Sequence, residues 1–283
     1  MKAMSLTTST ETMNDTSLLV TALQAAIDAG KQIMEIYNGP FDVEVKSDLS
    51  PLTIADRQSH EIIKNALSTT GIPMLSEEGS EIEFSERKSW PRYWLVDPLD
   101  GTKEFVKRNG EFTVNIALIE DNRPVMGIIY VPVTDVLYYG IMGSGSYRLL
   151  QAAHNLKNGS PSDIRTSAHA LPIAQQRKFT IVSSRSHMSA ETESFVNSLK
   201  EKHGDAEFLS KGSSLKICLV AEGSADVYPR LAPTMEWDTA AGDAIALAAG
   251  CTVINHFTGA EMIYNKEHLL NPHFIVYGRG FQP

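Results

Sequence analysis

The chain has little cysteine, fewer basic than acidic residues, and no long apolar run. Only Cys218 and Cys251 occur among its 283 residues. Their separation suits neither a metal site nor a redox motif, so a disulfide framework and a zinc ribbon are excluded. They read as buried free thiols in a reducing compartment. Lys and Arg total 25 against 34 Asp and Glu, a formal net charge of -9. That balance excludes the basic face of a nucleic-acid-binding protein. It does not exclude a small anionic substrate, because a bound cation reverses the local sign of charge. No segment approaches the length of a transmembrane helix, and the N-terminus lacks the apolar centre of a signal peptide. Several hydrolase plans are missing too. There is no Gly-x-Ser-x-Gly elbow, no His-Glu-x-x-His and no phosphate-binding P-loop. Ser213-Ser214-Leu215-Lys216 has the Ser-x-x-Lys spacing of penicillin-recognising enzymes without their companion motifs. Gly143-Ser144-Gly145 lacks the third glycine of a dinucleotide fingerprint and reads as a turn.

What is present is ordinary for a globular chain, with 42% hydrophobic and 21% charged residues. Its length allows one large domain or two. Residues 1–16, rich in Ser, Thr, Asn and Glu, read as a disordered tail. Apolar residues at helical spacing predict a helix over 18–37, stopped by Asn38-Gly39-Pro40, and a second over 53–67. A strand is expected at 41–45 and a short extended piece at 73–76. Strands at 93–96, 112–120, 124–131 and 136–141 follow, rich in β-branched and aromatic residues. Beyond them the pattern alternates. Strands are expected at 179–182, 208–209 and 225–228, and helices at 189–202, 214–222 and 239–249. Such alternation implies an α/β sheet. The Gly-, Asn- and Ser-rich stretch at 155–161 divides the chain into an α+β domain at 17–158 and an α/β domain at 159–283.

The most informative run is Asp97-Pro98-Leu99-Asp100-Gly101-Thr102, directly after the apolar Tyr93-Trp94-Leu95-Val96. Pro98 has no amide hydrogen and biases Asp97 to extended backbone, while Gly101 permits a tight bend near a ligand. Asp97 and Asp100 then converge where the strand is expected to stop. Convergent carboxylates repel one another unless a cation lies between them. The run therefore reads as a divalent-metal site that handles phosphate, with the Leu99 carbonyl placed to join the ligands. Magnesium takes hard oxygen ligands and shares its shell with phosphate. Two residues separate the aspartates, whereas aspartyl-phosphate phosphatases separate theirs by one, so a covalent aspartyl intermediate is disfavoured. Other acids have everyday explanations when taken singly. Asp56 reads as a helix-surface residue, Glu77-Glu78 as a solvated pair, and Asp238 as a helix N-cap.

Taken in order, Glu77-Glu78, Asp97 to Thr102, and Trp237-Asp238-Thr239-Ala240-Ala241-Gly242 resemble the lithium-sensitive, magnesium-dependent phosphatase superfamily that includes inositol monophosphatase. The resemblance runs from the first helix to Tyr277. Lys103-Glu104-Phe105, the segment 107–117, Gly212-Ser213-Ser214-Leu215-Lys216, Ala221-Glu222-Gly223 and Tyr228-Pro229-Arg230 are similar to its bacterial CysQ-type bisphosphate nucleotidase branch. The fold it implies is a layered αβαβα sandwich of the inositol monophosphatase and fructose-1,6-bisphosphatase kind, mixing α+β and α/β halves. It implies that Glu77, Asp97, Asp100, Asp238 and the Leu99 carbonyl hold about two or three magnesium ions. Asp56 and Thr102 would orient and deprotonate the attacking water, with Asp56 sharing a further metal with Glu77. Gly101 and Thr102 would offer amides to phosphate. Glu77, Leu99, Asp100, Asp238, Gly212, Ser213, Lys216, Arg230 and His187 would line the substrate.

The implied activity is release of the 3′-phosphate of adenosine 3′,5′-bisphosphate, giving AMP and phosphate in sulfur assimilation. The sulfated nucleotide is a second candidate substrate. The alternatives are an inositol or sugar monophosphatase on the same fold, and a non-catalytic nucleotide-sensing module. The expected partner is a small nucleotide, with no nucleic acid, and the chain as a monomer or homodimer. The expected location is the cytoplasm, with peripheral attachment to the cytoplasmic face of the inner membrane left open.

Overall fold

Helix α1 (Asp15–Tyr37) buries Leu18, Ala22, Ala25, Ala26, Ala29 and Ile33 along one stripe, the helical spacing that the sequence carries. In this computed structural model the described residues are 15–45, 51–158, 161–173, 176–184, 189–204 and 206–281. Most of the expected tail lies outside them. Asp15 and Thr16, assigned to that tail, are instead the first residues of α1. Strands β1 (Val43–Val45) and β2 (Pro51–Thr53) pair antiparallel and lead to helix α2 (Ile54–Ser68). Thr53 caps α2. Its Oγ1 accepts the Ala55 N–H at 3.1 Å, and Asp56 Oδ2 accepts the Thr53 N–H at 2.8 Å. This reciprocal box satisfies donors that a helix start otherwise leaves bare.

The first sheet is built from β3 (Met74–Ser76), β4 (Arg92–Asp100), β5 (Thr113–Glu120), β6 (Arg123–Val131), β7 (Val136–Ile141), β8 (Gly145–Leu150) and β9 (His169–Ala170). They lie side by side in that order. Only β3 and β4 are parallel, and the other pairs are antiparallel. Short helices α3 (Phe84–Arg87) and α4 (Thr102–Val106) flank β4, and α5 (Ala152–Asn158) and α6 (Pro161–Ser167) precede β9. β9 keeps the chain in the first sheet to Ala170. Residues 155–158 belong to α5 and Pro161 begins α6, so the last strand of the first sheet follows the division expected at residue 158.

The second sheet contains β10 (Thr180–Ser184), β11 (Glu207–Lys211), β12 (Val227–Arg230), β13 (Thr252–Asn255) and β14 (Phe274–Tyr277), in the order β11-β10-β12-β14-β13. Helices α7 (Ala190–His203), α8 (Leu215–Ala221) and α9 (Glu236–Ala248) alternate with its first strands. β13 and β14 were not expected from the sequence. They are four residues each.

The layers follow from which faces are buried together. α1 and α2 share a core with Trp94, Val96, Ile116 and Ile128 on one face of the first sheet. Tyr93, Leu95, Ala117 and Ile129 on its other face join Ile217 of α8, Ala241 and Ile245 of α9, and Val182, Phe274 and Val276 of the second sheet. Val196 and Leu199 of α7 close the far side over Ile181, Val227 and Ile275. The result is helix, sheet, helix, sheet, helix, as expected for an αβαβα sandwich. Its middle layer is tight. A Cβ on Gly127 of β6 would lie 2.1 Å from the Ala241 carbonyl oxygen of α9, so only glycine lets α9 approach there.

Candidate active site

Asp97 and Asp100 stand three positions apart, and on a regular strand that spacing sends two side chains to opposite faces. β4 does not end at Val96 as the sequence suggested. It continues to Asp100 through a bulge, in which Asp97 pairs with Asn115 and Asp100 with Thr113. Three steps on β4 therefore face two on β5, and the extra residue restores both aspartates to one side. Pro98 suits that place because a bulge needs no ladder donor from it. The bulge is pinned locally. Asp97 Oδ1 accepts the Leu99 N–H at 3.1 Å, and the Pro98 carbonyl accepts from Ser59 Oγ of α2 at 2.7 Å. Gly101 follows at φ +89°, the left-handed region, and starts α4.

Two further acids arrive from elsewhere. β3 pairs in parallel with β4, Ser76 opposite Val96, and the Glu77 N–H bonds the Val96 carbonyl at 3.1 Å. Glu77 thus sits beside Asp97. Asp238 comes from the first turn of α9. It is not the cap itself, as the sequence suggested, because Met235 holds that position. Asp238 Oδ2 accepts the Met235 N–H at 2.8 Å. The helix start is held from outside by the fully buried Glu236, which accepts the Asn265 N–H at 2.7 Å and the Lys266 ammonium at 2.5 Å. Glu77, Asp97 and Asp238 each offer an oxygen within 4.8 Å of the other two.

This grouping is electrostatically costly without a cation. Burial first, then the neighbouring Glu77, Asp100, Asp238 and Asp56, pushes the Asp97 carboxyl well above its ordinary range. Asp238 is pushed up to about 8, by burial first and Asp100 next. Hard carboxylate oxygens gathered from separate elements fit a magnesium-sized cation. Asp100 is steered differently. Its Oδ2 accepts the Ser214 N–H at 2.6 Å and Ser214 Oγ at 2.7 Å, with Asn115 Nδ2 at 3.3 Å.

Beside the acids, Thr102 Oγ1 donates to Asp56 Oδ1 at 3.1 Å. The other Asp56 oxygen is occupied by Thr53 N and Oγ1. The capping box of α2 therefore aims Asp56 at Thr102, and Asp56 is buried, not the surface residue it resembles in isolation. Burial raises its carboxyl, and the Thr53 and Thr102 hydrogen bonds oppose that rise.

A cleft of about 260 Å³ opens over these groups. Glu77, Asp97, Leu99, Asp100, Gly101, Thr102, Gly212, Ser213, Lys216, Arg230 and Asp238 all line it. The Lys216 ammonium bonds the Ser213 carbonyl and lies 5.5 Å from the centre of the Tyr228 ring. Burial lowers its pKa to about 8. Arg230 Nη2 donates to the Pro233 carbonyl at 2.8 Å. His187 lies outside the described residues. The sequence did not single out Ser214, Asn115 or Tyr228 for roles of their own. Ser214 lay inside the quoted run 212–216. Asn115 lay inside the quoted segment 107–117 and reads there only as a polar residue in a strand.

The inositol monophosphatase family model matches residues 14–276, and the chain belongs to that family. Among its relatives, the 3′(2′),5′-bisphosphate nucleotidase CysQ of Escherichia coli K12 is 45% identical over 258 residues, spanning 89% of this chain and 96% of that protein. The Salmonella typhimurium protein of the same name is 45% identical over 264 residues, 92% of this chain and 99% of its own. The crystal structure of CysQ from Bacteroides thetaiotaomicron superposes with a TM-score of 0.87 at 50% identity, covering 94% of this chain and 99% of that one. An inositol monophosphatase from Thermotoga maritima shares the fold, with a TM-score of 0.70 at 20% identity.

Proposed function

We propose that this protein is a magnesium-dependent 3′(2′),5′-bisphosphate nucleotidase that converts adenosine 3′,5′-bisphosphate to AMP and phosphate, a step of sulfur assimilation. The observation that carries the chemistry is the convergence of Glu77, Asp97 and Asp238 within 4.8 Å beside the Asp56–Thr102 pair. The substrate follows from the relatives' shared activity at 45% identity over most of the chain. Glu77, Asp97, Asp100, Asp238 and the Leu99 carbonyl would hold the cations. Bound there, divalent cations supply Lewis acidity that activates water and offsets charge on phosphate.

The chain's own residues do the rest. Thr102 has one hydroxyl hydrogen, which faces Asp56 Oδ1 at 3.1 Å and the Leu99 carbonyl at 3.3 Å. Its lone pairs are left to accept from a water in the cleft, which aligns that water for in-line attack on phosphorus. The Thr102–Asp56 pair takes up the water's proton as the bond from phosphorus to the ribose oxygen breaks, and the departing ribose oxygen takes a proton from a second water in the open cleft. Catalysis of phosphoryl transfer rests on such positioning and on charge stabilisation. Gly101 and Thr102 offer backbone amides on the phosphate side. Gly212, Ser213, Lys216 and Arg230 line the same cleft, where the Lys216 and Arg230 side chains select a substrate with a further phosphate, lysine as a point charge and arginine as a planar fork.

The test is phosphate release with magnesium from adenosine 3′,5′-bisphosphate, its sulfated form and inositol 1-phosphate. Preference for the bisphosphate nucleotide and loss of turnover with chelator are expected. Preference for inositol phosphate would overturn the substrate assignment.

A further inference from the structure

Ser214 occupies the junction of three chain segments. It ends the loop between β11 and α8, and its side chain is buried. Its N–H and Oγ both reach Asp100 Oδ2, at 2.6 and 2.7 Å. The same Oγ lies 2.6 Å from the Asp238 carbonyl oxygen. Asn115 Nδ2 donates to that Oγ at 3.0 Å and is itself oriented by Thr113 Oγ1, 2.9 Å from Asn115 Oδ1. One hydroxyl thus touches the bulged strand, the start of α9 and β5. Two of the groups it touches belong to residues proposed as cation ligands. The loop itself is anchored two residues earlier, where Glu111 Oε2 accepts the Gly212 N–H at 2.8 Å.

We infer that Ser214 is a positioning residue that holds the Asp100 carboxylate in a cation-ready orientation and keeps α9, with Asp238, at the matching distance. The inference rests on the metal-dependent reading above. Asp100 would otherwise rotate away from Glu77, Asp97 and Asp238, because like charges in one buried pocket repel. The Ser214 N–H, with the one hydroxyl hydrogen that Asp100 shares with the Asp238 carbonyl, holds Oδ2 and leaves Oδ1 for the cleft. Lys216, two residues on, lines the same cleft. The loop that steers the cation ligand thus also carries a group for an anionic substrate. Hydrogen bonds to ligating carboxylates tune cation affinity by about ten- to a hundredfold.

The experiment is calorimetric titration of calcium into the chelator-stripped full chain, beside the magnesium dependence of phosphate release. Ser214→Ala is expected to weaken calcium binding about tenfold or more. Its turnover should recover largely at high magnesium, since no reacting group is lost. Ser214→Cys fills the serine's volume but donates poorly, so it should weaken calcium binding as alanine does; wild-type affinity in the cysteine variant would mean that alanine merely loosens the loop and would overturn the inference. Ser214→Thr restores the hydroxyl and should restore calcium affinity. A folded Ser214→Ala protein with wild-type calcium affinity and magnesium dependence overturns the inference. Asp97→Asn separates the two readings. If neither the wild type nor this variant binds calcium, the metal site itself is wrong. If the wild type binds and Asp97→Asn does not, the outcome for Ser214 stands on its own.

Discussion

Thr102 and Asp56 illustrate how one hydrogen bond defines a role. The one hydroxyl hydrogen of Thr102 is taken between Asp56 Oδ1 and the Leu99 carbonyl, so only its lone pairs face a water. Thr102→Ala is expected to lower kcat by about 10²–10⁴-fold, the usual range for a proton-handling group, while Thr102→Ser retains most activity. Stopped assays of phosphate release at saturating magnesium check both. Asp97 is buried among other acids that raise its carboxyl. Asp97→Asn should abolish turnover yet leave the chelator-treated protein folded and at least as resistant to heat, because one buried like charge is gone. A lower melting temperature for the metal-free variant would contradict the cluster's electrostatics. At this scale the sequence was informative about identity and silent about contacts. Asp97, Asp100 and Thr102 stand in one run and were legible. Asp56 was not legible from its spacing alone, since its partner Thr102 lies 46 positions away.

Among the elements, β4 and α9 do most to shape the site. β4 reads in sequence as a short apolar strand followed by a turn. In the fold it is a nine-residue strand whose bulge makes both aspartates face one way. No local pattern distinguishes a turn from a bulge here, since both use Pro and Gly. The partner strand decides, through the register Asp97 to Asn115 and Asp100 to Thr113. The helix α9 is pressed against β6 so closely that a Cβ on Gly127 would meet the Ala241 carbonyl oxygen at 2.1 Å. Gly127→Ala should push α9 outward and destabilise the protein by about 1–3 kcal/mol, as overpacking does. Because Asp238 rides on α9, the same variant should also weaken cation binding. Urea unfolding with and without calcium measures both effects. The strands β5 to β7 were legible in sequence because their burial is nearly continuous. β13 and β14 escaped because short strands owe their place to neighbours more than to composition.

For the whole molecule, the acid cluster ties stability to pH and to cations. The Asp238 carboxyl is raised from an ordinary value of 3.8 to about 8, chiefly by burial and then by Asp100. Asp97 moves in the same direction. A raised carboxyl holds its proton more tightly folded than unfolded, so its stabilising contribution is complete below about pH 4. That contribution is lost as pH rises toward 8. The chelator-treated protein should therefore show a falling melting temperature across that window. Added magnesium or calcium should reverse much of the fall at the alkaline end, because cation binding takes the deprotonated form. Calorimetric scans at several pH values, with and without cation, check this. A melting temperature flat across the window without cation would contradict it. No helix among the described residues is long and apolar enough to cross a membrane.

By itself the sequence determined which residue types the site has and which family the chain resembles. Asp97-Pro98-Leu99-Asp100-Gly101-Thr102 is one contiguous run, and adjacent residues share a location whatever the fold. Apolar period and turn chemistry, being local, marked many of the helices and strands, while the αβαβα layering came only with the family resemblance. The tertiary structure decided which distant groups meet. Glu77 reaches Asp97 because β3 pairs with β4 in parallel. Asp238 reaches both because α9 lies between the two sheets. Ser214 reaches Asp100 from a loop more than a hundred residues along the chain, at a separation of 114. Such meetings depend on pairing register and on the approach of whole elements, which no single stretch of sequence encodes. The acids therefore converge, as the proposed metal site requires, only where two sheets and the helices between them bring separate segments to one point.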